Sequence, residues 1–446
     1  MILIHRANII NEGESFIGSL IIKGDRISKI FREDVPERVL NASKKVIDAR
    51  GLFLIPGVID DQVHFRDPGL THKGDITTES RAAIAGGVTS FMDMPNTNPQ
   101  TITNDSLLRK FEMAEGRSAA NFSFYIGATN DNLRELKKVD FKHTCGVKVF
   151  MGASTGNMLV DNKRSLQEIF AEVDSLIATH CEKEELIRDN LAKYKLQFGD
   201  DIPIKYHPLI RSDEACYQSS AQAIELADKY GSRLHVLHLS TAREMSLFSD
   251  SRLEDKKITG EVCVHHLWFT DVDYDNLGAN IKWNPAIKTR SDRDALRSAL
   301  IGARLDVVAT DHAPHLPEEK EGGALKAASG GPLIQHSLQL MMELAIKGVF
   351  SKELVVEKMC HAPARLFNIK ERGFIREGYF ADIVLLDPQK SYEVTKENIL
   401  YKCGWSPLEG ITFRNSIDKT FVNGKIVYEN GVVSDQFLGK ALEFER

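Results

Sequence analysis

No run of apolar residues in this chain approaches the ~18 needed to cross a bilayer, so a membrane-spanning protein is not expected. Cysteine is sparse. The six in 446 residues, Cys145, Cys181, Cys216, Cys263, Cys360 and Cys403, include no C-x-x-C pair, which argues against a zinc ribbon or a disulfide framework and suggests reduced thiols. A strong excess of one charge is missing as well. With 57 Lys plus Arg against 63 Asp plus Glu the formal net charge is -6, leaving no basic footprint for nucleic acid or anionic lipid. There is no G-x-G-x-x-G fingerprint and no Walker loop, so nucleotide chemistry has no support. The opening MILIHRANII is too short an apolar run for a signal peptide and carries His5 and Arg6. A cytoplasmic protein acting on a small polar substrate is the expectation.

What remains is average globular composition, 42% hydrophobic and 27% charged, which excludes disordered and fibrous chains. The length suits roughly three domains, or one α/β barrel of ~250 residues with an accessory domain. Residues 1–52 read as short strands split by turns, as at Lys23, Gly24 and Asp25. The far end has the same texture in GYFADIVLLDP and KTFVNGKIVYENG, with Asn-Gly turns at Asn423 and Asn430. One β-sandwich built from 1–52 and 368–446 is therefore expected. Between them, over 53–367, β-branched runs alternate with helical segments such as SSAQAIELADKY. Eight runs fit parallel strands: 55–60, 89–94, 122–127, 146–150, 174–180, 233–240, 259–265 and 305–310. Eight βα units point to a closed (β/α)8 TIM-like barrel.

Active sites of such barrels lie at the carboxyl ends of the strands. The polar residues expected there are those of DDQVHFRDPG, DMPNTNP, Lys148 in GVKVF, His180 in THCE, LHVLHLS and ATDHAPH. Imidazole, carboxylate and a strand-end lysine are a ligand set for zinc or a similar divalent ion in a hydrolytic site. Alternation along a strand puts Gln62 and His64 on one face but separates His235 from His238. His238, nearer the mouth, is taken as the ligand and His235 as outward or structural. Lys148 among apolar neighbours is expected as a neutral amine or as a carbamate formed with carbon dioxide.

The ordered set PGVIDDQVHFRDPG, DMPNTNP, GVKVFMG, HVLHLST, EVCVHHL, WNPAIKT, VVATDHAPH, GYFADIVLLD and CGWSPLEG resembles the dihydroorotases of the cyclic amidohydrolases, over nearly the whole chain. The resemblance implies a metal-dependent barrel hydrolase interconverting dihydroorotate and N-carbamoyl-L-aspartate in pyrimidine biosynthesis. It implies metal ligands His64, Lys148 as a carboxylated lysine, His180, His238 and Asp311, with one or two zinc ions. It also implies substrate contacts from Arg66, Asn96, Asn284 and His315 and from the backbone around Gly330 and Gly331. Asp311 would be the catalytic base and then the acid. The family's D-x-H-x-H-x-R motif is broken at Gln62, whose amide oxygen is a weaker ligand than imidazole. Three outcomes stay open: two metals with Gln62 as a ligand, one metal, or a crippled site.

Two alternatives stand beside the dihydroorotase reading. One is a non-catalytic scaffold, for example for aspartate transcarbamoylase, suggested by Gln62. The other is a sister amidase acting on hydantoins or allantoin, against which Arg66 speaks because its planar fork suits a free carboxylate. A homodimer is expected only by analogy. His72, His143, His207 and His361 are read as solvated or packed, His265 and His266 as closing strand seven near the rim with a hydrogen-bond role behind the ligands as the lesser reading, and His312 as facing away from Asp311. GASTGN and EGGALKAASGGP are read as loops covering the substrate, and LPEEKEGG as a solvated face.

Overall fold

A computed structural model describes residues 1–152, 158–436 and 438–446. The N-terminal strands are β1 (Ile2–Asn11), β2 (Glu14–Lys23), β3 (Arg26–Phe31), β4 (Lys45–Asp48) and β5 (Phe53–Pro56). Eight further strands make the barrel: β6 (Val58–Val63), β7 (Val88–Asp93), β8 (Asn121–Gly127), β9 (Gly146–Phe150), β10 (Leu176–His180), β11 (Arg233–Val236), β12 (Ile258–Cys263) and β13 (Val307–Ala309). They pair in sequential order, all parallel, and β6 meets β13 through a bridge from Val63 to His312. The His64 amide adds a 2.7 Å bond to the His312 carbonyl, and Asp60 accepts from the Thr310 hydroxyl at 2.6 Å across the same seam. The (β/α)8 barrel is thus present and closed.

The barrel strands read as continuous apolar runs because both faces are covered. Helices on the outside start on caps written into the sequence. Asp75 and Thr78 form a capping box for Ile76–Ala85, Thr289 and Asp292 one for Arg290–Ile301, and Ser212 caps Asp213–Tyr230. Inside, Ile59, Met92, Tyr125, Ala178 and Val307 join Phe367 in one buried apolar cluster. The amino-terminal end of the barrel is therefore closed by apolar packing, and the open cavity lies at the opposite mouth.

Both termini build one accessory sheet. Strands β14 (Ile383–Asp387), β17 (Ser416–Val422), β18 (Lys425–Glu429) and β19 (Val432–Val433) join β1 to β5 in a nine-stranded sheet, eight of them in the order β19-β18-β17-β14-β5-β1-β2-β3 and the ninth, β4, pairing with β1 off that path, while β15 (Tyr392–Glu393) and β16 (Thr412–Phe413) pair separately. The expected sandwich is a single hydrogen-bonded sheet that divides at β1. There Ile2 to His5 pair with β4, whereas Asn8 and Ile9 pair with β5. Ile4, Ile9, Leu20, Leu54, Ile383 and Phe421 fill its core.

Several sequence-derived strands change. The run 55–60 is two strands divided at Gly57, the first belonging to the accessory sheet. The run 259–265 ends at Cys263, and His265 and His266 open a helix, Val264–Trp268. The run 233–240 stops at Val236. All six cysteines are buried and unpaired. Among the described residues no helix is long and apolar enough to cross a membrane.

Candidate active site

At the carboxyl ends of the strands lies a cavity of about 100 Å³ lined by Gln62, His64, Arg66, Asn96, Lys148, His180, His238, Asn284, Asp311 and Gly330, among others. The structure thus brings together all of the sequence-derived ligands. A register irregularity between Asp60 and Val63 helps deliver them, because it turns Asp61 as well as Gln62 toward the interior. Arg66, His238 and Asp311 all adopt left-handed backbone, with φ of 67°, 40° and 47°. Three non-glycine residues held in this region at one mouth mark a site where geometry is bought with strain.

The imidazoles are set as neutral donors. His180 Nδ1 and His238 Nε2 stand 3.0 Å apart. Burial lowers the pKa of His180, opposed in part by Glu182, and burial with the nearby His180 and Lys148 charges holds His238 well below its usual range. Glu182 lies 3.1 Å from His180 Nε2 and pairs with Arg211. Although burial opposes it, that arginine and His180 keep Glu182 ionised, with a pKa of about 2. A carboxylate behind Nε2 leaves the Nδ1 lone pair facing the cavity. His64 is arranged the same way: its Nδ1 hydrogen goes to Asn96 Oδ1 at 2.8 Å, and Nε2 faces Asp311 Oδ1 at 3.1 Å. A lone pair aimed at a carboxylate is an arrangement that a cation between them would relieve.

Lys148 is fully buried, its Nζ 4.6 Å from the Phe150 ring centre. Desolvation lowers its pKa to about 8 against the pull of Asp311 and Glu261. It does not reach out to water. Donor type, neutrality and convergence therefore fit a divalent metal site. Gln62 fits less directly, since its Nε2 donates to Asp311 Oδ1 at 3.3 Å and its Oε1 lies 4.0 Å from Cys263 Sγ.

Arg66 is buried beside this cluster, donating from Nε to the Pro314 carbonyl at 3.0 Å. His315 sits between cations, with Nε2 3.0 Å from the Arg66 guanidinium and Nδ1 3.1 Å from Lys73 Nζ. Burial and these charges push its pKa far down, so it stays a neutral donor or acceptor. Asn284 Oδ1 is buried without a partner. Gly330 lines the cavity at φ 125°, where a Cβ would stand 2.7 Å from the Ala313 carbonyl oxygen. Gly331 does not line it. A Cβ there would meet the Trp283 ring at 2.8 Å, so this glycine lets the tryptophan pack.

Other positions correct the sequence reading. His235 is not outward. It sits in the barrel interior, 3.2 Å from Asp61 on β6 and 3.8 Å from Glu261 on β12, a contact that crosses the barrel because β6 and β11 are not neighbours. Alternation fails to separate it from His238 because the strand ends at Val236 and His238 turns left-handed. LPEEKEGG is not a solvated face throughout. Lys320 is buried and its Nζ donates to the carbonyls of Lys282, Ala328 and Gly330 at 3.3, 2.7 and 2.6 Å. It fastens the loop bearing Gly330 to the segment bearing Asn284. His265 stacks on Trp283 at 4.4 Å, and His266 Nε2 donates to the Pro285 carbonyl at 3.1 Å, so both support that segment. His312 turns to Glu79, 2.9 Å away, on the outer helix. His207 and His361 are packed, while His72 and His143 are exposed. The loop GASTGN falls, except for Gly152, outside the described residues.

The comparisons agree with this architecture. Residues 53–427 match the model of the amidohydrolase family. A dihydroorotase of Methanosarcina acetivorans is 33% identical over 406 residues, 88% of this chain and 84% of that protein. An allantoinase of Bacillus velezensis is 30% identical over 96% of this chain and 94% of that protein. Among solved structures, the L-hydantoinase (dihydropyrimidinase) of Arthrobacter aurescens superposes with a TM-score of 0.93 at 27% identity, covering 99% of each chain. The family match over most of the chain, a parallel barrel with nitrogen and carboxylate donors gathered at its mouth, and relatives named dihydroorotase and allantoinase place this chain among the cyclic amidohydrolases of the amidohydrolase family.

Proposed function

We propose that the chain is a dihydroorotase, hydrolysing the ring amide of dihydroorotate to N-carbamoyl-L-aspartate and, in reverse, closing that ring. The observation that carries this reading is the buried Arg66 guanidinium, which lines the cavity together with Asn96 and Asp311 and stands 3.0 Å from His315 Nε2. A free carboxylate on the ring gives that uncompensated planar cation its natural partner. An uncharged hydantoin or allantoin ring would leave it buried and unpaired.

Metal binding fits the donors described. A divalent ion such as zinc, held by His64, His180, His238, Asp311 and Lys148 as its carbamate, would supply hydroxide from water at neutral pH and polarise the amide carbonyl. The chain's own residues do the rest. Arg66, with Asn96 and neutral His315, binds the substrate carboxylate and fixes which face of the ring meets Asp311. Asn284 Oδ1 is free to hold a polar edge of the ring, while the Gly330 backbone, already bonded to Lys282 and Lys320, shapes the wall beside it. Asp311 takes the proton of the attacking water as the carbon–oxygen bond forms, then delivers it to the ring nitrogen as the carbon–nitrogen bond breaks. Glu182 holds His180 in its tautomer throughout.

The test is hydrolysis of dihydroorotate by chelator-stripped protein before and after zinc is restored, with bound metal counted in the same sample. Turnover that returns with zinc supports the reading, and full loading without turnover overturns it. Arg66→Met separates the sister amidases: loss on dihydroorotate with no gain on hydantoin or allantoin is expected. Brisk hydrolysis of an uncharged ring by the unmodified protein would favour those instead.

A further inference from the structure

Two buried clusters of ligand-type side chains lie outside the catalytic set, Asp61 with His235 and Glu261, and Cys263 with His265 and His266. The first accounts for itself as an imidazole between two carboxylates. The second does not, because it contains no opposite charges to neutralise one another. We propose that Cys263, His265 and His266 form an additional metal site for a borderline-soft divalent ion such as zinc or cobalt.

One ligand atom from each residue lies within 4.8 Å of the other two. Tetrahedral zinc, with bonds of about 2.0–2.3 Å, needs separations of roughly 3.3–3.6 Å, so a small rotation of the side chains would close the set. All three residues are buried, and the ring nitrogens are left over. Nδ1 of His266 makes no hydrogen bond, and neither nitrogen of His265 has a well-aligned one, the Thr310 backbone being its nearest polar neighbour. Unsatisfied buried nitrogens of this kind call for a missing partner. The His266 Nε2 hydrogen is committed to the Pro285 carbonyl, which fixes the tautomer that leaves Nδ1 as a lone pair. Stacking on Trp283 fixes the plane of His265. The end of β12 and the helix that starts after it bring the three together as C-x-H-H. Glu261 Oε1 lies 3.5 Å from Cys263 Sγ, and the thiol proton is released to solvent as the sulfur–metal bond forms.

The whole protein, stripped by chelator and titrated with cobalt(II), tests this. A near-ultraviolet thiolate-to-cobalt charge-transfer band is expected, and Cys263→Ser should lose that band and bind one equivalent fewer per chain. Absence of the band at saturation, or its persistence in the variant, overturns the proposal. If Cys263→Ser does not fold, X-ray absorption at the zinc edge of the unmodified, zinc-loaded protein decides: a sulfur neighbour at about 2.3 Å is expected, and a nitrogen and oxygen shell alone overturns it.

Discussion

His180 and His238 meet side by side on the rim of the barrel mouth with Nδ1 and Nε2 3.0 Å apart, one at the end of β10 and the other just past the neighbouring β11. Both are supported from behind. His180 is backed by Glu182, and the backbone amide of His238 is held by Glu261 Oε1 at 2.8 Å. The catalytic arrangement is therefore set from behind by carboxylates that never touch substrate.

Glu182→Gln should weaken metal binding about 10–100-fold while leaving the fold intact, because the amide no longer enforces the His180 tautomer. Zinc affinity measured by competition with a chelator checks this. An unchanged affinity would mean that Arg211 and burial alone orient the ring.

Asp311→Asn should lower kcat by about 10²–10⁴, the usual range for a lost proton carrier. Single-turnover rates at full metal occupancy, with the metal counted, distinguish lost proton transfer from lost binding.

Lys320→Met should act on substrate binding. Three carbonyls lose the ammonium, and only the Gly330 amide bond to the Lys282 carbonyl is left of this cluster's ties between the Gly330 loop and the segment before Asn284. A rise in KM of about tenfold, equivalent to ~1.4 kcal/mol, with kcat changed little, is expected from steady-state kinetics.

Stability should fall as pH rises from near neutral to alkaline. Burial opposes charge on His235, but its bonds to Asp61 and Glu261 prevail and raise its pKa to about 9. That contribution is complete below the ordinary histidine value of 6.5 and is lost as pH rises through 9. Burial, with Asp61, raises Glu261 to about 7, so its neutral form is the favoured one and stability is lost as pH rises through 7. Both terms carry the same sign. Thermal unfolding followed between pH 6 and 9.5 should show a falling midpoint, and Glu261→Gln should flatten the lower part of the fall.

The barrel and its ligand-bearing strand ends were legible because parallel strands covered on both faces leave continuous apolar runs, after which the polar residues stand out. Strand parity failed at His235 because neither the left-handed turn at His238 nor the register irregularity after Asp60 has a glycine to announce it. Lys320 was hidden by its neighbours: Glu318, Glu319 and Glu321 give the segment a solvated look, while its own ammonium is satisfied by backbone carbonyls, which carry no sequence signature. Glu182, two residues past His180, could have been found by asking which carboxylate follows a ligand at strand parity. Cys263 and the two histidines after it read as strand because Val262 and Val264 are β-branched, although the chain there turns into a helix.

The accessory sheet places β5 between β1 and β14, so Leu54 pairs with Leu385 and the whole barrel is threaded between two adjacent strands. During synthesis the amino-terminal strands emerge long before the partners that cover the open side of β5. Until β14, which begins only at Ile383, arrives, that side remains an unprotected edge able to recruit other chains. Assembly of this sheet is bound to be a late, long-range event. Premature release from the ribosome is therefore expected to yield aggregates rather than a working barrel without its sheet.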